Sequence, residues 1–246
     1  MAVQEAIAEE SQAQVIRRPP RVPDATVVKP PPLENGDRLT RYEFERRYEA
    51  MPHIKKAELI EGVVHMPSPV SVSHGEAHAQ IMGWLAAYCA TTPAVRLANN
   101  TTIRLDPDNE VQPDALLWLE YAAGGRSRVS DDDYVEGAPE LIVEIASSSA
   151  AYDLHDKKNA YRRNEVQEYL VWQVHENRLD WFRWHEGEYL PLSPDADGII
   201  RSQVFPGLHL AVAPLLVGDL AQVLAELQKG LETEEHGAFV KRLAEE

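Results

Sequence analysis

The segment at 141–146, LIVEIA, limits what this chain can fold into more than any other stretch. It is short, apolar and rich in β-branched residues, which predicts a central strand buried on both faces. Glu144 interrupts it. A carboxylate buried there without a partner costs several kcal/mol, so a metal ion, a cation or a raised pKa must compensate it. Side chains alternate along a strand, so Glu144 is expected to share a face with Ile142 and Ala146. The ordinary alternative is a strand-end glutamate that reaches solvent or pairs with an arginine.

The surroundings supply the rest of a domain. Residues 1–37 are proline-rich and lack an apolar period, which predicts a disordered or extended arm. Residues 37–51 read as a helix, with Thr40 and Glu43 at capping-box spacing and Pro52 as the stop. AELIEGVVHM at 57–66 reads as two short strands bending around Gly62. Ser73 is the expected cap of a helix from about 74 to 90, whose Ile81, Trp84, Leu85 and Tyr88 form an apolar stripe. Strand-like VRLANNTTIRL and VQPDALLWL follow, then a helix over 153–164 and the strand series EYLVWQV, RLDWFRWH and EYLPL. Trp172, Trp181 and Trp184 lie on those strands as core or interface residues. One domain over 38–215 results, followed by a charged helix over 216–246. The expected class is α/β (α+β), a mixed central β-sheet flanked by helices.

Bulk properties set limits on function. At 246 residues and 44% apolar content, the chain suits one sizeable globular domain. No apolar run approaches the roughly 20 residues of a membrane helix. The early acids do not follow signal-peptide order, and the single Cys89 leaves neither an internal disulfide nor a cysteine-rich metal site. A cytoplasmic location is the expectation. The net charge of -16 runs against nucleic-acid binding, unless basic residues cluster or divalent metals neutralise the site. KKNAYRR at 157–163 is the candidate cluster; otherwise the acidity serves solubility.

Asp114 follows Pro113 and leads directly into an apolar strand, unlike the Pro-Asp pairs at 23–24, 107–108 and 194–195, which sit in arm or turn-like stretches. If the strands of Asp114 and Glu144 are adjacent, two carboxylates meet at one sheet edge. Hard oxygen donors of this kind suit Mg²⁺ or Mn²⁺. Lys157 shares a helical face with Asp153 and Tyr161, and can position or deprotonate an attacking water or stabilise charge on a phosphate. Its ordinary alternative is a solvated surface lysine. Glu58 can add a further acid, whereas Glu61 suits an exposed hairpin. His74 and His78 have the i, i+4 spacing of a metal pair, but no HExxH pattern accompanies them. His74 is expected to hydrogen-bond near the helix start, and His78 to lie on the surface.

In their order and spacing these pieces resemble the Uma-type family of restriction-endonuclease-like proteins, a branch of the PD-(D/E)XK nucleases. The matching pieces are ELIEG at 58–62, His74-Gly75 opening a helix, PD at 113–114 and APELIVEIASSS at 138–149. Asp153-x3-Lys157-x3-Tyr161 and Val166-x-Glu168-Tyr169 complete them. The resemblance spans roughly 38–215 and implies a restriction-endonuclease-like core. It also implies Asp114 and Glu144 as metal-binding carboxylates, the Ile145 backbone carbonyl as a further ligand, Lys157 as the active-site lysine and Glu58 as an auxiliary acid. A strict E-x-K pattern would place lysine at 146, where this chain has Ala146, and Lys157 is the position that fits instead. Glu165 stands where family members often have glycine, and Leu170 where tryptophan is usual.

The expected function is a Mg²⁺- or Mn²⁺-dependent endonuclease that hydrolyses phosphodiesters. Its substrate is DNA, with RNA as the alternative, and a homodimer is expected because related nucleases often act as dimers. A second reading is a catalytically inactive nucleic-acid-binding or assembly protein, with Leu220, Leu224 and Leu227 packing on a partner. A third is a hydrolase using two carboxylates as acid and base, in which Lys157 would be idle.

Overall fold

In the computed structural model, which describes residues 29–67, 69–147 and 152–245, two six-stranded sheets and a small hairpin carry the chain. The strands are β1 (Glu58–Ile60), β2 (Val63–His65), β3 (Val95–Ala98), β4 (Ile103–Asp106), β5 (Asn109–Val111), β6 (Ala115–Leu119) and β7 (Arg128–Val129). They continue with β8 (Val135–Glu136), β9 (Leu141–Ala146), β10 (Glu168–Gln173), β11 (Arg178–His185), β12 (Glu188–Pro191), β13 (Ile199–Arg201) and β14 (His209–Ala211). The helices are α1 (Arg41–Glu49), α2 (Val72–Cys89), α3 (Lys158–Arg163), α4 (Val212–Leu216), α5 (Leu220–Leu231) and α6 (Glu234–Glu245). A π-helical turn, Asp153–Lys157, leads into α3.

The main sheet runs β12-β11-β10-β9-β6-β3. It is mixed: β9 and β10 are parallel, and its other pairs are antiparallel. Alternation sorts its buried residues onto two faces. Leu141, Val143 and Ile145 of β9 pack with Ala115, Leu117 and Trp172 against α2 and the C-terminal helices. Ile142 and Ala146 face the other way, with Leu116, Tyr161, Tyr169 and Val171. All six residues of β9 are buried, as its continuous apolar run requires. The front sheet runs β2-β1-β5-β4-β8-β7, and the chain passes from it into the main sheet between β5 and β6.

Local chemistry explains the elements near that passage. Ile60 pairs with Val63, so Glu61 and Gly62 form a two-residue turn, with φ of 53° and 72°. Positive φ at both positions is the hairpin turn matched to strand twist, and glycine suits the second. The Asn109 side chain accepts the Glu61 N–H at 2.9 Å and holds the turn. The cap of α2 is Ser71, two residues earlier than the sequence suggests; its hydroxyl accepts the His74 N–H at 3.3 Å.

The C-terminal segment differs from the single charged helix expected. It forms two helices, because the Thr233 hydroxyl accepts the His236 N–H and starts a new one. Their apolar faces complete the chain's own core: Val223, Leu227, Phe239 and Leu243 are buried, and Leu220 and Leu224 pack on the same cluster. Of the expected N-terminal arm, residues 1–28 lie outside the described residues. Leu33 beyond them is buried beside Phe44 and Leu59, and the Gly36 N–H donates to the Val64 carbonyl. Among the described residues, no helix is long and apolar enough to cross a membrane.

Candidate active site

Three strand ends converge where the two sheets meet. Ala115 pairs with Val143 and Leu116 with Ile142, so the same register carried one residue further sets Asp114 beside Glu144. There the ladder gives way to a side chain: Asp114 Oδ2 accepts the Ile145 N–H at 2.7 Å. Glu58, at the start of β1, accepts the Gln112 N–H at 2.8 Å and so reaches the passage between the sheets. The acids of both sheets border one cavity of about 480 Å³, which Lys56, His74 and Tyr152 also line.

Lys157 is the cation at the centre. Its Nζ lies 2.9 Å from Glu144 Oε1, 3.0 Å from Glu58 Oε1 and 3.8 Å from Asp153 Oδ1. Burial works to deprotonate the amine, but Glu144, Glu58 and Asp153 outweigh it and hold the pKa well above the lysine range. Lys157 is therefore held as an ammonium that donates to Glu144. Burial pushes the Glu144 carboxyl up to about 8; Lys157 opposes this, and Asp153, Asp114 and Glu58 add to it. Tyr161 also donates to Glu144 Oε1, at 2.8 Å, and burial drives its phenol pKa well upward. The π-helical turn sets this geometry, a distortion frequent at functional sites.

Asp114 is held from α2. His74 Nε2 lies 3.3 Å from Asp114 Oδ1, and His78 Nε2 donates to the Asp114 carbonyl at 2.9 Å. Burial works to raise the Asp114 carboxyl, but His74, the Ile145 N–H and Lys56 together hold it below its ordinary value. The His74 imidazole is raised in turn, first by its hydrogen bond to Asp114 and against its own burial.

Asp114, Glu144, Lys157 and Glu58 are thus together, with the Ile145 N–H of β9 donating to Asp114. Several expectations change. His78 is half-buried and bonded rather than on the open surface, because one face of α2 is aimed at Asp114. Glu61 turns to Arg163, at 2.7 Å. The 157–163 cluster is paired within the chain rather than free: Lys157 is buried, Lys158 lies 3.5 Å over the Phe182 ring, Arg162 bonds the Gly187 carbonyl, and Arg163 holds Glu61 while staying exposed. Lys157 is central rather than idle. Trp181 is core, edge-on to Trp84 at 5.8 Å. Leu220, Leu224 and Leu227 are engaged within the chain. Glu165 takes a left-handed φ of 58°, the conformation glycine favours, and closes α3 with the Val166 N–H on the Tyr161 carbonyl. Two site residues escaped the sequence, Lys56 and Tyr152. Tyr152, adjacent to Asp153, lies tilted against His65, with ring centroids 4.2 Å apart. The end of the 138–149 motif, from Ser148 on, lies outside the described residues.

The donor set fits a divalent cation in kind. Three buried acids, Glu58, Glu144 and Asp153, surround the Lys157 ammonium, and buried Asp114 borders the same cavity, so acidic groups outnumber the two lysines there. In a strand the N–H and C=O of one residue point to the same side, so the Ile145 carbonyl faces Asp114 as its N–H does. Among the described residues, no three His, Cys, Asp or Glu side chains are already gathered as a metal cage. Mg²⁺ ordinarily takes one or two carboxylates and completes its shell with water and substrate phosphate.

Comparison with known proteins agrees with this architecture. The Uma2 family, described as "Putative restriction endonuclease", matches residues 41–213. Among solved structures, a putative nuclease belonging to DUF820 from Anabaena variabilis ATCC 29413 is similar, with a TM-score of 0.57 at 14% identity. The match covers 70% of this chain and 96% of that one. No curated protein matches.

Proposed function

This chain belongs to the Uma2 family of restriction-endonuclease-like proteins, and on that premise we propose that it is a Mg²⁺- or Mn²⁺-dependent endonuclease that hydrolyses DNA phosphodiesters. One observation carries the reading: Glu58, Asp114 and Glu144, distant in the chain, border a single cavity around the buried ammonium of Lys157.

Asp114, Glu144 and the Ile145 carbonyl would hold the cation, which supplies Lewis acidity at the scissile phosphate and lowers the pKa of the attacking water. Lys157 donates hydrogen bonds, so its role is to orient the nucleophile and to offset charge that grows on the phosphate oxygens. The proton leaving the attacking water passes to a carboxylate of the group. The new bond joins the water oxygen to phosphorus, the opposite P–O bond breaks, and the departing oxygen takes a proton from solvent. Tyr161 and Lys157 fix Glu144 from one side, and His74 with the Ile145 N–H fixes Asp114 from the other.

The acidity of the chain fits this scheme. Because Lys157, Arg162 and Arg163 each meet a partner within the chain, a bound divalent ion would supply much of the positive charge that draws a phosphate. Purified protein with Mg²⁺ or Mn²⁺ should nick or cut DNA, chelation should stop it, and Glu144→Ala should abolish cleavage at unchanged far-UV circular dichroism. Equal cleavage by the native chain and this variant refutes the assignment.

A further inference from the structure

His74 borders the pocket from α2, beside its carboxylates and its two lysines, Lys56 and Lys157. It is mostly buried, stands on the first turn of α2, and brings Nε2 to 3.3 Å from Asp114 Oδ1. The imidazole therefore faces Asp114, and Ile145 lines the same pocket. It is fixed there from two directions. Ser71 caps the helix on the His74 N–H, and one turn later His78 ties α2 to the Asp114 carbonyl.

Two donors that each lie roughly 2.1 Å from a common ion are separated by about 3 Å, close to the separation of Nε2 and Oδ1 here. Ligand type then bears on metal choice. Carboxylate, carbonyl and water suit Mg²⁺ and Mn²⁺ alike, whereas an imidazole nitrogen favours transition-metal ions over Mg²⁺, least for Mn²⁺ and more for the ions after it.

We infer that His74 is a nitrogen ligand of the cation site, so that the site takes Mn²⁺, or a borderline ion such as Co²⁺, in preference to Mg²⁺. This rests on the nuclease reading above and adds to it the identity of a ligand and the class of metal. His74 would hold the ion through Nε2, beside the Asp114 carboxylate.

Electron spin-echo spectroscopy of the protein loaded with Mn²⁺, together with calorimetric titration of Mn²⁺ and Mg²⁺, tests it without an activity assay. The native chain should show nitrogen modulation on the manganese signal. The modulation should disappear in His74→Ala and persist in His78→Ala. Mn²⁺ affinity should fall by at least tenfold in His74→Ala, with Mg²⁺ affinity changed by less than threefold. Bound manganese without nitrogen modulation overturns the inference and leaves the nuclease reading intact; this measurement on the native chain needs no variant to fold. Modulation that survives in His74→Ala, or equal loss of both metals, also overturns it. Failure of the native chain to bind Mn²⁺, or binding undiminished in Asp114→Asn, overturns both readings.

Discussion

The Lys157 ammonium and the Glu58 carboxylate meet at 3.0 Å across the junction of the two sheets, and both are buried. This contact ties the π-helical turn to the front sheet, while the same ammonium holds Glu144 of the main sheet.

Removing that cation should harm stability and activity together. Lys157→Met leaves the buried acids uncompensated, which costs about 3–5 kcal/mol. Cleavage should fall by at least a hundredfold. Urea unfolding at pH 8 and at pH 5 reads the cause: the loss should shrink at the lower pH, where the raised Glu144 carboxyl takes up a proton. An equal loss at both values contradicts an electrostatic origin.

Tyr161→Phe tests a smaller effect. It removes the 2.8 Å hydrogen bond to Glu144 Oε1 and leaves the ring packed against Tyr169. A stability cost of about 1–2 kcal/mol is expected. Single-turnover cleavage should slow by roughly three- to thirtyfold, because Glu144 loses one of two donors that fix it. An unchanged rate means that Lys157 alone positions the carboxylate.

Away from the pocket, Glu168 should shape the pH dependence of stability. Burial raises its carboxyl to about 7, against the Gln203 N–H and the Ser202 hydroxyl that favour its charge. Between the ordinary glutamate range and about pH 7, the folded chain keeps a proton that the unfolded chain has released. Stability therefore falls as pH rises through that window, by about 3 kcal/mol at most. Denaturant titrations from pH 4.5 to 8 should show this slope in the native chain and a flatter one in Glu168→Gln.

Gly230 tests whether the C-terminal helices belong to the folding unit. A Cβ there would stand 2.2 Å from the Gly207 carbonyl oxygen, a backbone atom that cannot step aside. Gly230→Ala should destabilise the whole domain by about 1–3 kcal/mol, although alanine is the better helix former. Thermal unfolding followed by tryptophan fluorescence reports it, since Trp84 and Trp181 sit in the core that α5 covers. A separate early transition confined to the helices would contradict one cooperative unit.

Much of the site was legible because strand alternation is a local rule. The face shared by Glu144, Ile142 and Ala146 follows from period two alone, and the Pro113–Asp114 entry into an apolar strand marks where β6 begins. The approach of Lys157 was legible from its spacing to Asp153 and Tyr161, although the turn is π-helical. What could not be read depends on packing between distant elements. Nothing local says that α2 lies across β6, so His78 reads as surface and His74 as a minor hydrogen-bonding group. The same holds for the basic residues of 157–163, whose partners Phe182, Gly187 and Glu61 come from three other elements. The break between α5 and α6 had a local signal in Thr233, a capping residue hidden within a charged stretch.

The passage from β5 into β6 has a further consequence, for which changes the chain can tolerate. Gln112 and Asp114 stand on either side of one proline, and each anchors a different carboxylate contact. A single added or deleted residue there would turn Asp114 to the opposite face while Glu144 stayed in place. The hairpin between β11 and β12 lines no part of the pocket, and a longer turn there would disturb only the contacts of Arg162 with Gly187 and Glu188. Length is thus fixed at this three-residue stretch and negotiable at the far edge, so alignments of related chains should admit gaps in the second place and none in the first.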